Sequence, residues 1–148
     1  MSHTIRWTIE KITQRLALIE PLVYRHRAEL PNFRYSSSPE FDTRQSSRSE
    51  SVTGSEIIPN TYWGTPFTDF ILRTTFQIPS DWNLDHPIAL YLPLGDAGNF
   101  SHPEALVYVD GVSYTACERH HQEVLLRPEW ADSQPHELAL LLPRALRR

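Results

Sequence analysis

The sequence predicts a mainly β fold, an antiparallel β-sandwich that is preceded by an N-terminal α-helix and a serine-rich linker. Apolar residues recur at steps of three and four near the N-terminus, serines crowd the next stretch, and hydrophobicity alternates with a period of two from about Tyr62. These patterns divide the chain into a helical segment at 1–33, a flexible linker at 34–58, the sandwich at 59–143 and a C-terminal tail at 144–148.

The N-terminal helix is predicted over residues 8–20. Four apolar side chains share one stripe of it: Ile9, Ile12, Leu16 and Ile19. Thr8 suits the N-cap, and Pro21 is expected to end or kink the helix near Glu20. We expect the apolar stripe to pack on another surface, which is either the sandwich or a second domain.

The linker prediction depends on eight serines between residues 36 and 55, with charged residues among them and almost no aliphatic ones. Such a segment buries too little apolar area to offset about 1–2 kcal/mol of backbone entropy per ordered residue.

The strand predictions begin at residues 70–78. One set of side chains faces the core (Phe70, Leu72, Thr74, Phe76, Ile78), and the alternate set faces away (Ile71, Arg73, Thr75, Gln77). Residues 88–92 are apolar on both faces and predict an interior strand. Residues 124–126 and 138–142 supply two further strands.

A β-hairpin is predicted over residues 105–117, around the dipeptide Asp110-Gly111, which suits a type I′ turn. A regular hairpin gives five pairs: Val109/Val112, Tyr108/Ser113, Val107/Tyr114, Leu106/Thr115 and Ala105/Ala116. Several short strands at roughly even spacing favour a sandwich or jelly roll over a βαβ fold.

The bulk properties exclude several classes of function. The chain has 148 residues and a formal net charge of −4, with no basic stripe to neutralise the phosphates of a nucleic acid. Cys117 is the only cysteine, and neither a secretory leader nor an apolar run long enough to cross a membrane is recognisable. We therefore expect cytoplasmic residence, with no nucleic-acid or membrane partner.

The loop at 92–104 holds the first candidate residues for ligand binding or an interface. Asp96, Asn99 and His102 lie near Phe100, and such groups can bind sugar hydroxyls while an aromatic ring stacks on the sugar. Alternatively, these residues only satisfy turn geometry in a long connection.

Two further candidates, His120 and His121, lie in the densest set of titratable residues. Adjacent histidines on a strand point to opposite faces, so we do not expect them to share a metal ion. One of them is suited to contact a ligand or a neighbouring domain, but a solvated ion-pair cluster explains the segment equally well.

Catalytic motifs are missing from the sequence. It has no G-x-S-x-G, H-E-x-x-H or phosphate-binding glycine loop, and we predict no catalytic and no metal-binding residue. Trp63, Trp82 and Trp130 are interpreted as core or interface residues rather than sugar platforms.

Three segments carry a resemblance to a known family: YWGTPFTDFILRTTFQIPSDW at 62–82, IALYLPLGDAGNFSHPEALVYVDGVSYTACERHHQEVLL at 88–126, and PHELALLL at 135–142. They resemble the N-terminal β-sandwich region, galactose-binding-like in fold, of the cytosolic or vacuolar α-mannosidases of glycoside hydrolase family 38. The resemblance implies a zinc-dependent, retaining parent enzyme that releases α-linked mannose from glycans.

The resemblance places the zinc and the aspartate nucleophile in a later α/β-barrel region that a His-x-Asp motif announces. None of the seven histidines here is followed two places later by Asp, and we expect the chain to end before that region. No catalytic or zinc-binding residue is carried over, and no cofactor is expected in this chain.

The leading hypothesis is therefore a non-catalytic accessory domain that packs on the catalytic domain of an α-mannosidase-like enzyme. Its expected partners are that domain, a mannose-containing glycan and a second copy of the chain. A stand-alone carbohydrate-binding module is the alternative, and a small hydrolase that acts through His120 or His121 is a further rival.

Overall fold

The computed structural model describes residues 8–37, 54–58, 61, 68–94 and 104–142. Its elements in chain order are α1 (Thr8–Val23), β1 (Arg34–Ser37), β2 (Ser55–Glu56), β3 (Phe70–Phe76), β4 (Ala89–Tyr91), β5 (Ala105–Val109), β6 (Val112–Cys117), β7 (Glu123–Leu125), a 3-10 turn (Pro128–Trp130) and β8 (His136–Leu142). Among these residues, no helix combines the length and the hydrophobicity needed to span a bilayer.

The described strands form two open antiparallel sheets. The larger sheet has the order β2-β1-β3-β8-β5-β6, and the smaller one pairs β4 with β7. A mainly β fold with an N-terminal helix is thus confirmed. Strands β3, β8 and β5 are neighbours although they are distant in sequence, so they form the centre of the larger sheet.

The main core lies on one face of the larger sheet and includes side chains of both sheets. The alternation predicted for residues 70–78 is confirmed, because Leu72 and Phe76 point into this core while Ile71 packs on the opposite face. Strands β5 and β8 contribute the most deeply buried aliphatic side chains: Val107, Val109, Leu138 and Leu140. The smaller sheet adds Leu90 and Val124, so its apolar face covers part of the same core.

The hairpin turn is confirmed, since Asp110 and Gly111 have φ angles of 50° and 74°, as a type I′ turn requires. The predicted register is correct for Val109/Val112 and Tyr108/Ser113 only. The three other predicted pairs (Val107/Tyr114, Leu106/Thr115, Ala105/Ala116) are wrong, because a β-bulge shifts the pairing by one residue and places Val107 opposite Thr115. The shift brings Cys117 into the core, where it is fully buried.

Strand β4 corrects a second prediction. Its central residue Leu90 is buried, but Ala89 and Tyr91 on either side are exposed, so the strand is half-buried rather than interior. The physical reason is its place in a two-stranded sheet, where only one face meets the core.

Helix α1 continues past its predicted end, because Pro21 lies inside the helix and the helix runs to Val23. Proline in the last turn removes only one backbone donor, and its fixed φ suits a helix. None of the residues of α1 is buried. The stripe of Ile9, Ile12, Leu16 and Ile19 is between 52% and 78% exposed, so within the described structure neither sheet is its packing surface.

The predicted linker at 34–58 is wrong at both of its ends, where β1 and β2 pair in the larger sheet. Gly54 explains part of this pairing, because its φ of 136° and its closeness to the Tyr35 carbonyl need a residue without Cβ. Residues 38–53, which carry most of the serines, lie outside the described residues.

Candidate functional site

The first set of predicted site residues falls outside the described structure. Asp96, Asn99 and His102 belong to residues 95–103, between the described positions Leu94 and Glu104. Their assignment to a ligand or an interface therefore stays a prediction.

His120 and His121 lie in a tight turn between β6 and β7. Glu118 and His121 close the turn with two backbone hydrogen bonds, N to O, of 3.1 and 3.0 Å. The expectation that the two histidines point to opposite faces of a strand does not apply, because they lie in a turn and not on a strand. Both line one surface depression of about 420 Å³. The depression is also lined by Tyr91, Arg119, Gln122 and Glu123.

The electrostatics of this turn favour an internal ion pair. Nδ1 of His121 lies 2.6 Å from Oε1 of Glu118, and this hydrogen bond is the main reason that the pKa of Glu118 is lowered. The side chain of His121 is 80% exposed, which limits the strength of the pair. The arrangement provides hydrogen-bond donors and acceptors of both charges on an open surface, and gives no buried pocket that excludes water.

The described residues contain no group of three or more His, Cys, Asp and Glu side chains able to hold a metal ion. The absence of a metal in the whole chain stays a prediction.

A second titratable cluster centres on His136, the first residue of β8, which is 8% exposed. Its Nδ1 lies 2.7 Å from Oδ2 of Asp110, and its Nε2 lies 2.9 Å from Oδ1 of Asp132. Asp110 belongs to the β5–β6 turn, and Asp132 to the loop before β8. The imidazole also stacks on Phe76, with 5.4 Å between ring centroids.

The two carboxylates determine the charge of His136. Burial alone would lower its pKa, but hydrogen bonds and charge attraction from Asp110 and Asp132 outweigh burial and raise the pKa above its ordinary value. The same contact lowers the pKa of Asp132. At mildly acidic pH, a doubly donating imidazolium therefore joins the hairpin turn to the β8 loop.

Sequence reasoning missed this cluster. Asp110 was interpreted only as a turn residue, and its Oδ1 also accepts a hydrogen bond of 2.9 Å from the backbone N–H of Glu137. The pairing of β5 with β8 brings residues 26 positions apart together, and no local motif announces it.

The tryptophans have different environments. Trp130 is a core residue, as predicted, and its ring meets the edge of Tyr114 with 4.7 Å between centroids. Arg127 lies over both of these rings, at 4.7 Å from Tyr114 and 5.2 Å from Trp130. Trp82 is only half-buried and lies 5.9 Å from the ring of His26, while Trp63 is outside the described residues.

Comparisons of the chain with protein-family models, with curated proteins and with solved structures give no match.

Proposed function

We propose that this chain is a non-catalytic accessory domain of an α-mannosidase-like glycoside hydrolase, and that α1 docks it on the catalytic domain. The observation that carries the docking role is that no residue of this amphipathic helix is buried. Each of its four stripe residues is more than half exposed, although burial of an aliphatic side chain of this size contributes roughly 1.5–3 kcal/mol.

The length of α1 supports a docking role. Most of the stability of a helix in a protein comes from packing of its apolar face, and at 16 residues α1 is only slightly longer than the roughly 12–15 residues below which an isolated helix is marginal in water. Burial of the stripe of Ile9, Ile12, Leu16 and Ile19 against another polypeptide would stabilise both the helix and the complex.

The charges of α1 favour a protein surface over a lipid surface. Two acidic residues, Glu10 and Glu20, balance Lys11 and Arg15, so the helix as a whole has no net charge. Helices that lie on anionic membranes are rich in Lys and Arg on their polar side.

The activity that we propose for the parent enzyme is based on a resemblance to family 38 α-mannosidases. The residues that carry this resemblance are 62–82, 88–126 and 135–142. The accessory role is supported by the one core that both sheets share, which we interpret as a small galactose-binding-like sandwich. Cytoplasmic residence belongs to the same proposal, as does zinc-dependent, retaining hydrolysis by the parent's catalytic region.

The test is a binding measurement between this chain and the catalytic region of a family 38 α-mannosidase that lacks its own N-terminal domain. Isothermal titration calorimetry should detect a complex with the wild-type chain. The double variant Ile12→Gln/Leu16→Gln should weaken the complex at least tenfold. Glu10→Gln/Lys11→Gln is the matched control on the polar side and should leave binding within about twofold. Absence of binding, or equal binding by both double variants, would refute the docking role.

A further inference from the structure

A cavity of about 310 Å³ opens between the coil that precedes β1, the end of β3 and the segment that leads into β4. Its lining is mainly apolar and includes the core residues Phe76, Ile78, Ile88 and Leu90. Trp82, which is half-buried, belongs to the same lining.

The polar groups of the cavity are few and varied. Glu29, Thr75 and Gln77 belong to the lining, and all three are exposed enough to meet a ligand from solvent. Glu29 is the only charged residue among the described lining residues, so the cavity has no cation to attract a phosphate or a carboxylate.

Hydrogen bonds hold the walls in place. Thr74 Oγ1 donates to the carbonyl of Pro31 at 2.9 Å, which fixes the coil against β3. Gln77 Nε2 donates to the carbonyl of Ser133 at 2.8 Å and so leaves the Gln77 amide oxygen as an acceptor. Trp82 is held by a backbone bond from its own N–H to the carbonyl of Pro79, at 3.1 Å. A ligand therefore meets a largely pre-formed site.

We propose that this cavity binds a single pyranose ring of a neutral sugar. Its volume of about 310 Å³ is at the lower end of the range for ligand pockets, roughly 300–1,000 Å³, and suits one ring rather than an oligosaccharide. The indole of Trp82 offers an apolar face for the C–H side of the ring. The Glu29 carboxylate and the Gln77 amide oxygen accept hydrogen bonds from ring hydroxyls.

This binding site goes beyond the accessory role, because none of its residues belongs to α1. It also differs from the predicted sugar contacts at Asp96, Asn99 and His102, which lie in another part of the chain. Success or failure of the docking experiment leaves this proposal unaffected.

The test follows the indole N–H resonance of Trp82 by NMR, which separates it from the other three tryptophans after assignment with Trp82→Phe. Methyl α-mannopyranoside, methyl α-glucopyranoside and methyl α-galactopyranoside are titrated into the full chain. At least one of them should shift the Trp82 resonance in a saturable way, with an affinity in the millimolar range.

Three variants locate the binding. Glu29→Gln should weaken the sugar affinity several-fold, and Trp82→Ala should weaken it at least tenfold. Trp82→Ala removes the reporter, so its affinity is read by saturation-transfer difference on the sugar protons. Glu10→Gln on α1 is the matched control and should leave the affinity unchanged.

Three results would overturn the proposal. One is the absence of saturable binding by all three glycosides. Another is sugar binding that survives both Glu29→Gln and Trp82→Ala, which would locate it elsewhere in the chain. The third is a Trp82 shift with tetramethylammonium and with none of the glycosides, which would identify the cavity as a cation site.

Discussion

His136 joins two loops through two ion pairs, so its protonation contributes to the stability of the fold. The pKa of His136 is raised above 6.5 in the folded chain, and its contribution is therefore complete below pH 6.5 and is lost as the pH rises through the folded pKa. The pKa of Asp132 is lowered below 3.8, so its contribution is complete above pH 3.8 and is lost as the pH falls through the lowered value.

We therefore predict that stability is highest between about pH 4 and pH 6.5 and that the midpoint of thermal unfolding falls as the pH rises from 6 to 8. Circular dichroism melts at half-unit steps of pH measure this. His136→Gln should make this fall in the midpoint smaller, whereas His86→Gln, a control at an exposed histidine, should leave it unchanged. An equal slope in His136→Gln would show that another group is responsible.

Cys117 is predicted to be chemically inert in the native chain. It is fully buried, and burial raises the pKa of its thiol to about 11. Since the thiolate is the reactive form, we expect labelling by a disulfide reagent at pH 8 to be at least about 100-fold slower than in the unfolded chain. The control is the same protein in guanidinium chloride. Rapid labelling of Cys117 in the native chain would mean that β6, the strand at the edge of the larger sheet, opens frequently.

At the scale of elements, the contrast between the hairpin turn and the hairpin register explains what the sequence can predict. The turn depends on Asp110-Gly111 alone, whose positive φ angles are a local property. The bulge falls at Tyr114, which makes tertiary contacts: its hydroxyl donates to the carbonyl of Leu125 at 2.6 Å, and its ring meets Trp130. Local alternation contains no information about those partners, so the predicted register failed beyond Ser113.

The candidate sites differ in the same way: some are indicated by neighbouring residues in the sequence, and others form only when the chain folds. The polar turn around His120 was found because its titratable residues are contiguous in sequence. The cluster around His136 and the cavity beside Trp82 each combine residues from separate elements, which only the sheet order brings together.

Gly54 is predicted to be essential for the pairing of β2 with β1. A Cβ at this position would lie 2.4 Å from the carbonyl oxygen of Tyr35, and the φ of 136° strains any other L-residue. Gly54→Ala should therefore lower the free energy of unfolding by about 1–3 kcal/mol. Urea titration measures the loss, and Ser55→Ala, at the next exposed position, is the control. Equal stability of the two variants would contradict the strained pairing.

Helix α1 and the β body, which consists of the two sheets and their shared core, are stabilised by different contacts. The core cluster joins β3, β4, β5, β6, β7 and β8, but no residue of α1 is buried in it. The folding of the sheets is thus expected to be independent of the helix, while the helix depends on whatever covers its stripe.

Ile12→Gln/Leu16→Gln should change the free energy of unfolding of the β body by less than about 0.5 kcal/mol, since exposed substitutions away from special features have small effects. Leu140→Ala, at a core residue that is 1% exposed, should cost about 2–5 kcal/mol because it leaves a cavity. The variants are made in a Trp7→Phe background, because Trp7 directly precedes α1 in the sequence. Urea unfolding followed by the remaining tryptophan fluorescence, which includes that of the buried Trp130, then reports on the sheets rather than on α1. If the helix variant lost as much stability as the core variant, α1 would have to pack on its own β body, and the surface proposed for docking would already be occupied.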